Sequence, residues 1–183
     1  AGTPVRIVSG SNTQDIIVGT DWKGTASYTA DGTEMKVYGN LTAFYCFGNR
    51  ANLTALDVSN NTQLYELDCS GNKLTSLDLS KNTQLRTLHC SHNNLTTLDL
   101  SKNTELVELG CHTNNLTTLN LSKNTELVGL VCYTNNLTSL DLSSNTQLTT
   151  LYCYGNNFSS QALDDIYCAL PDRTGNTNGV IQP

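Results

Sequence analysis

Six of the seven cysteines, Cys46, Cys69, Cys90, Cys111, Cys132 and Cys153, follow one another at intervals of 23, 21, 21, 21 and 21 residues. A single globular core imposes no such beat, whereas a stack of near-identical coils does. Around each cysteine the unit reads L-x-x-L-x-C-x-x-N-x-L-x-x-L-x-L-S-x-N-T-x, with Phe44 and Val58 in two of the leucine places. Arg50-Ala51 look like a two-residue insertion in the first copy, and the last copy keeps only its first half. L-x-x-L-x-C predicts a short strand with alternate side chains inward, its parallel neighbour one coil away at about 4.8 Å. One coil has too few apolar side chains to offset the ordering of its own backbone, so stability belongs to the array and both ends need covering.

The motif L-x-x-L-x-(L/C)-x-x-N-x-L, over residues 41 to 158, is similar to the leucine-rich-repeat signature. The half-unit T-x-L-D-L-S-K-N-T, as in Thr96 to Thr104, resembles the secreted leucine-rich-repeat proteins of Bacteroidetes-type gut bacteria. The resemblance implies an α/β-type, mostly β, right-handed solenoid of 21-residue coils with a concave parallel sheet. It also implies an exported or cell-surface protein that binds host, microbial or matrix macromolecules.

One compact domain in three parts is expected. Residues 1–40 lose the period but contain the β-type runs VRIVSG, DIIVG and MKVYG, with a two-residue hairpin signal at Asp31-Gly32, and are read as an N-terminal β cap. The solenoid takes residues 41–158, and residues 159–183 form the C-terminal cap. There Ser159 or Ser160 begins a helix in which Leu163, Ile166, Tyr167 and Leu170 recur at helical spacing before Pro171, and VIQ adds a last short strand.

An odd number of cysteines at constant spacing suits a column of buried small hydrophobes better than a disulfide framework. In-register side chains on parallel strands point the same way and fit poorly with a disulfide torsion near 90°. Cys168 breaks the period and is expected to be free, a bond to Cys153 being the lesser alternative. Two asparagine rows, Asn49/72/93/114/135/156 and Asn61/82/103/124/145, are expected to satisfy backbone groups where the coil turns. The row Asp57, Asp78, Asp99, Asn120 and Asp141 is expected on adjacent strands, hydrogen-bonded to Ser and Thr hydroxyls near Lys81, Lys102 and Lys123 rather than binding calcium.

The monotony breaks beside the cysteines. Tyr45, Phe47, Asp68, His89, His112, Tyr133, Tyr152 and Tyr154 flank them, and with His92 these residues gather all three histidines and four of the eight tyrosines onto one face or its edge. Exposed aromatic groups in that arrangement point to a ligand-binding concave face. The alternative is aromatic covering of a sheet by cross-strand pairing. A metal reading of His89, His92, His112 and Asp68 is weak, because neither C-x-x-C nor H-E-x-x-H is present. No catalytic constellation emerges, Ser91 between two histidines being too local to make a triad.

The formal charge of −6, with no Lys/Arg cluster, argues against nucleic acid, and no apolar run approaches a membrane span. AGTPVRIVSG lacks the regions of a signal peptide, so an export signal is expected to have been removed. The expected protein is a non-enzymatic recognition module without cofactor or metal. Its partner is a protein or glycan, with a carbohydrate platform and a ligand-free spacer as alternatives.

Overall fold

The structure, a computed structural model, describes residues 3–18, 32–47, 53–170 and 180–182. The hairpin β1 (Thr3–Ser9) and β2 (Asn12–Val18) turns at Gly10, whose φ of 58° suits the two-residue turn joining Ser9 to its partner Asn12. The hairpin signal at Asp31-Gly32 falls largely outside the described residues. Strand β3 (Glu34–Tyr38) pairs antiparallel with β1 on one side and parallel with β5 (Ala55–Asp57) on the other. The β3–β5 register joins Glu34 to Ala55 and Met35 to Leu56, the same 21-residue step as the coils, and Met35 and Val37 are buried. The periodic register therefore reaches into the segment expected as a non-periodic cap.

The second sheet is the repeat itself. Strands β4 (Ala43–Tyr45), β6 (Glu66–Asp68), β7 (Thr87–His89), β8 (Glu108–Gly110), β9 (Gly129–Val131), β10 (Thr150–Tyr152) and β11 (Val180–Gln182) pair in parallel, in the order β4-β6-β7-β8-β9-β10-β11. Each strand is three residues long, yet the ladder continues past it. Cys46, Cys69, Cys90, Cys111 and Cys132 each donate their N–H to the next coil at 2.8 Å. The six periodic thiols and the leucines from Leu53 to Leu151 are buried in one continuous core, and all seven cysteines are free. Cys168 is exposed.

Asparagine closes the turns on both sides. Asn114 Nδ2 donates to the carbonyls of Cys90 at 3.0 Å and Cys111 at 3.1 Å, while its Oδ1 accepts the Leu95 N–H at 3.0 Å. Asn93 and Asn135 repeat this pattern, and Asn49 lies outside the described residues. The second row acts through Nδ2: Asn103 donates to Asn82 O at 2.9 Å and to Leu79 O at 3.2 Å. These amides bond one coil to the next in places that leucine packing alone leaves unsatisfied.

Beyond β5 the half-coil carrying the aspartates contains no strand, which corrects the expectation of carboxylates on adjacent strands. Asp78, Asp99 and Asp141 instead each accept the backbone N–H of the serine two residues on, at 2.9 Å, a local turn that competes with a sheet ladder. Those hydrogen bonds hold the three carboxyls below their ordinary range. Asn120 makes the same bond to Ser122 at 3.0 Å, so the device needs an acceptor and not a charge.

Helix α1 (Ser160–Ala169) starts at Ser159, whose Oγ accepts from Ala162 N at 3.1 Å. The expected four-residue stripe meets the core more narrowly than its spacing suggests. Ile166 is buried, Leu163 and Leu170 are half-buried, and Tyr167 is 48% exposed. One helix lying across the end of a narrow stack has room to bury little more than a single line of side chains. Pro171, the expected stop, lies outside the described residues.

Candidate functional site

The outward face of the long sheet is built in columns, one residue per coil. The column before the cysteines runs Tyr45, Asp68, His89, Gly110, Val131, Tyr152, and the column after them runs Phe47, Ser70, Ser91, His112, Tyr133, Tyr154. In the second column aromatic residues occupy three successive coils. His112 and Tyr133 stack with ring centroids 4.2 Å apart at 14°, and Tyr133 and Tyr154 stack at 4.6 Å and 5°. His92 closes the row edge-on against His112 at 5.0 Å and 87°. A four-ring ladder thus runs along the solenoid axis at the strand exits, and its spacing is set by the coil rise.

His92 joins the ladder through its backbone. It occupies the second position after a cysteine, where the coils carry Gly71, His92, Thr113, Thr134 and Gly155. All five have left-handed φ values of 53° to 69°. The conformation turns the N–H toward the next coil: Gly71 donates to Ser91 O, His92 to His112 O, Thr113 to Tyr133 O and Thr134 to Tyr154 O, at 2.9 to 3.0 Å. Glycine accepts this geometry freely, whereas a β-branched threonine is strained in it. Thr113 and Thr134 were not singled out by sequence, although the glycines at both ends of their column were the signal.

Local strain of this kind costs of order 1–3 kcal/mol per residue, and glycine returns part of that as unfolded-chain entropy. Thr113→Gly and Thr134→Gly are each expected to stabilise the protein by about 1 kcal/mol, so the double variant melts several degrees higher, at roughly 2–4 °C per kcal/mol for a chain of this size. Differential scanning calorimetry on the parent and the three variants measures it, and a lower melting temperature in all three contradicts the strain argument.

Elsewhere on the face the predicted residues are dispersed. Tyr45 and Phe47 are 52% and 59% exposed but are separated from the ladder by Ser70 and Ser91, whose hydroxyls bond to each other at 3.1 Å. The Tyr45 phenol is hydrogen-bonded to Glu66, which with partial burial and the nearby carboxylates pushes its pKa up to about 12. Asp68 accepts the Ser70 N–H at 3.0 Å. His89 leans over Gly110, where a Cβ would meet its Nδ1 at 2.7 Å, so the missing side chain makes room for the imidazole. Tyr152 is half-buried. Arg86, which sequence reading did not single out, lies over the Tyr65 ring at 5.7 Å.

The three histidines therefore belong to two arrangements: His92 and His112 in ring contact across neighbouring coils, His89 against Gly110 on the strand. Burial first, then the charges of His92 and His89, hold His112 below the ordinary imidazole range. Among the described residues no group of three or more His, Cys, Asp or Glu side chains is placed to hold a metal ion.

Among solved structures, the functional domain of InlJ from Listeria monocytogenes, which includes a cysteine ladder, is similar to this chain with a TM-score of 0.63 and 44% identity, covering 64% of this chain. The chain is a leucine-rich-repeat solenoid. It spans only 26% of the InlJ chain. Two further L. monocytogenes structures share the solenoid fold: an internalin (inlF), with a TM-score of 0.60, 22% identity and coverage of 68% of this chain and 42% of that one, and an internalin C2, with 0.57, 21%, 69% and 64%. No protein-family model and no curated protein matches the chain. These likenesses carry the leucine-rich-repeat assignment of the solenoid; the three are to Listeria proteins and do not show the resemblance to gut Bacteroidetes proteins.

Proposed function

We propose that this solenoid is a non-enzymatic recognition module that binds a protein partner through the concave, outward side of its seven-stranded sheet, as a secreted or surface-displayed bacterial protein. The observation that carries this reading is the ring ladder His92–His112–Tyr133–Tyr154, held at one edge of the sheet by strained turns. Strain kept at a solvent-facing edge where glycine would serve better for stability is a mark of selection for something other than folding. The 44% identity to a Listeria functional domain with its own cysteine ladder supports the same class of role.

The ladder also bears on what is bound. Tyr133 has His112 on one face and Tyr154 on the other. Stacking on a sugar ring wants an open aromatic face, and the interior of this ladder offers ring edges, hydroxyls and ring nitrogens instead. Such tips suit a polar, hydrogen-bonding protein surface, and this supports the protein-binding reading over the glycan platform.

The test compares the parent with the variant His112→Ala, Tyr133→Ala, Tyr154→Ala in pull-downs from extracellular-matrix and mucosal extracts. A protein retained by the parent and lost by the variant, with equal thermal stability, supports a receptor face. Identical retention by both, or none by either, moves the solenoid to the role of spacer.

A further inference from the structure

All three histidines of the chain lie on the outward side of the long sheet, and they share it mostly with carboxylates. From β6 to β10 the strands and the turns around them carry Glu66 and Asp68 in β6, Arg86 and His89 in and beside β7, His92 after it, Glu108 in β8 and His112 after it. The flanking turns add Lys73 after β6, Glu105 before β8 and Glu126 before β9, and the phenols there and on the preceding coil are those of Tyr45, Tyr65, Tyr133, Tyr152 and Tyr154. With neutral imidazoles this side has five carboxylates against two cations, Lys73 and Arg86, a net of −3. With all three imidazoles protonated its net charge is zero, while the whole chain moves from −6 to −3. Protonation thus removes the net negative charge of this one side and leaves the rest of the molecule acidic.

The geometry couples the three imidazoles to one another and to the carboxylates. His89 sits in register beside Asp68 on the neighbouring strand and leans toward the coil of Glu108 and His112. His92 touches His112 directly. His112 is backed by the Tyr133 ring and Thr113 Oγ1, which lies 3.2 Å from its Nδ1. Arg86, the only guanidinium on this side, is drawn over Tyr65, and among the described residues the only ion pair is Arg6–Asp15. Glu66, Asp68 and Glu108 are therefore not matched by a cation of the described chain.

We infer that this side of the sheet is a pH-gated docking surface for a lysine- or arginine-rich segment of a protein partner, held while the imidazoles are neutral and released when they are protonated. The inference rests on the protein-binding reading above and adds the partner's charge and the signal that frees it. At neutral pH the unmatched carboxylates and the phenol and imidazole tips receive ammonium or guanidinium groups. With the imidazoles protonated the same segment meets three added cations and no net negative charge, and like charges across an interface are costly. At physiological ionic strength the screening length is about 8 Å, so charges on neighbouring coils still act together on a bound segment.

The test uses fluorescein-labelled octalysine and octaglutamate peptides, with anisotropy titrations at pH 7.5 and pH 5.0 in the same salt. The proteins are the parent, the variant Glu66→Gln, Asp68→Asn, and the variant His89→Gln, His92→Asn, His112→Gln. Octalysine is expected to bind the parent at pH 7.5 and to lose about tenfold or more in affinity at pH 5.0. The carboxylate variant binds it weakly at both values, and the histidine variant shows a pH 7.5 to pH 5.0 affinity ratio near one, whatever its absolute affinity. A fall of equal size in the histidine variant, pH-independent binding by the parent, tighter binding of octaglutamate at pH 7.5, or no octalysine binding at all overturns the proposal. Amide chemical-shift mapping separates it from the underlying reading: octalysine shifts confined to β6–β8 with no pH effect leave the binding face standing without its gate, and shifts elsewhere remove the face itself.

Discussion

Raising the pH from 9 to 12 is expected to unfold the solenoid, and the thiol column sets the window. Burial pushes the Cys46 and Cys111 thiols up to about 12 and that of Cys153 up to about 11. Cys69, Cys90 and Cys132 are raised well above the ordinary value by burial and by the neighbouring thiols. A thiol whose pKa is raised in the folded state keeps its proton where the unfolded chain has lost it. The stability it contributes is complete below the unfolded value of about 8.5 and disappears as the pH rises through the folded value. Every tenfold gap in proton affinity between the folded and unfolded chain is worth about 1.4 kcal/mol at its limit, and six such groups act in one direction, against a typical stability of about 5–15 kcal/mol. Circular dichroism against pH measures the transition, and Cys90→Ala, Cys111→Ala is expected to shift the midpoint upward relative to its own neutral-pH stability, since two of the titrating groups are gone. An unchanged pH dependence in that variant would remove the thiols as the cause. The same burial protects the column at neutral pH: a thiol reagent is expected to find Cys168 quickly in the native protein and all seven cysteines only after denaturation.

The column was legible because its cause is arithmetic. A 21-residue interval on a parallel ladder leaves Cys90 no place except above Cys69 and below Cys111, and the same step fixes the leucines and both asparagine rows. Ring contacts are not fixed by the interval. Sequence spacing put His112, Tyr133 and Tyr154 in one column, but the stack also depends on side-chain direction, and it excludes Phe47 because Ser70 and Ser91 intervene. His92 was harder still: three residues from His89 along the chain, it meets His112 instead, since the left-handed turn carries it to the neighbouring coil. Backbone conformation of that kind is visible in sequence only through the glycines that share the column. The first coil hid for a related reason. Met35 and Val37 keep the apolar alternation of Leu56 and Val58, but the unit lacks the leucine, aspartate and serine of later copies, so its period shows only in the β3–β5 register.

Substituting Asn114 by alanine is expected to cost about 3 kcal/mol, comparable with emptying a leucine site. The side chain is buried, and its loss leaves the Leu95 N–H without its acceptor and takes one of two amide donors from each of the Cys90 and Cys111 carbonyls, in a turn that water enters poorly. Leaving the buried Leu95 N–H unpaired costs about 1–3 kcal/mol and each amide bond lost by the carbonyls about 0.5–1.5 kcal/mol, so an apolar replacement of matching volume does not rescue the site. Asn114→Leu should therefore be no better than Asn114→Ala, and Asn114→Asp worse, because a carboxylate would then face two carbonyls. The end coil supplies the control. Asn156 makes the equivalent bonds to Cys132 O, Cys153 O and Leu137 N but is only half-buried, and water can take its place. Asn156→Ala is expected to lose less than half as much in urea denaturation. Equal losses at the two positions would mean that the amide acts through its own bonds alone, and that the burial supplied by neighbouring coils, the feature that makes an array of short strands stable, adds nothing to them.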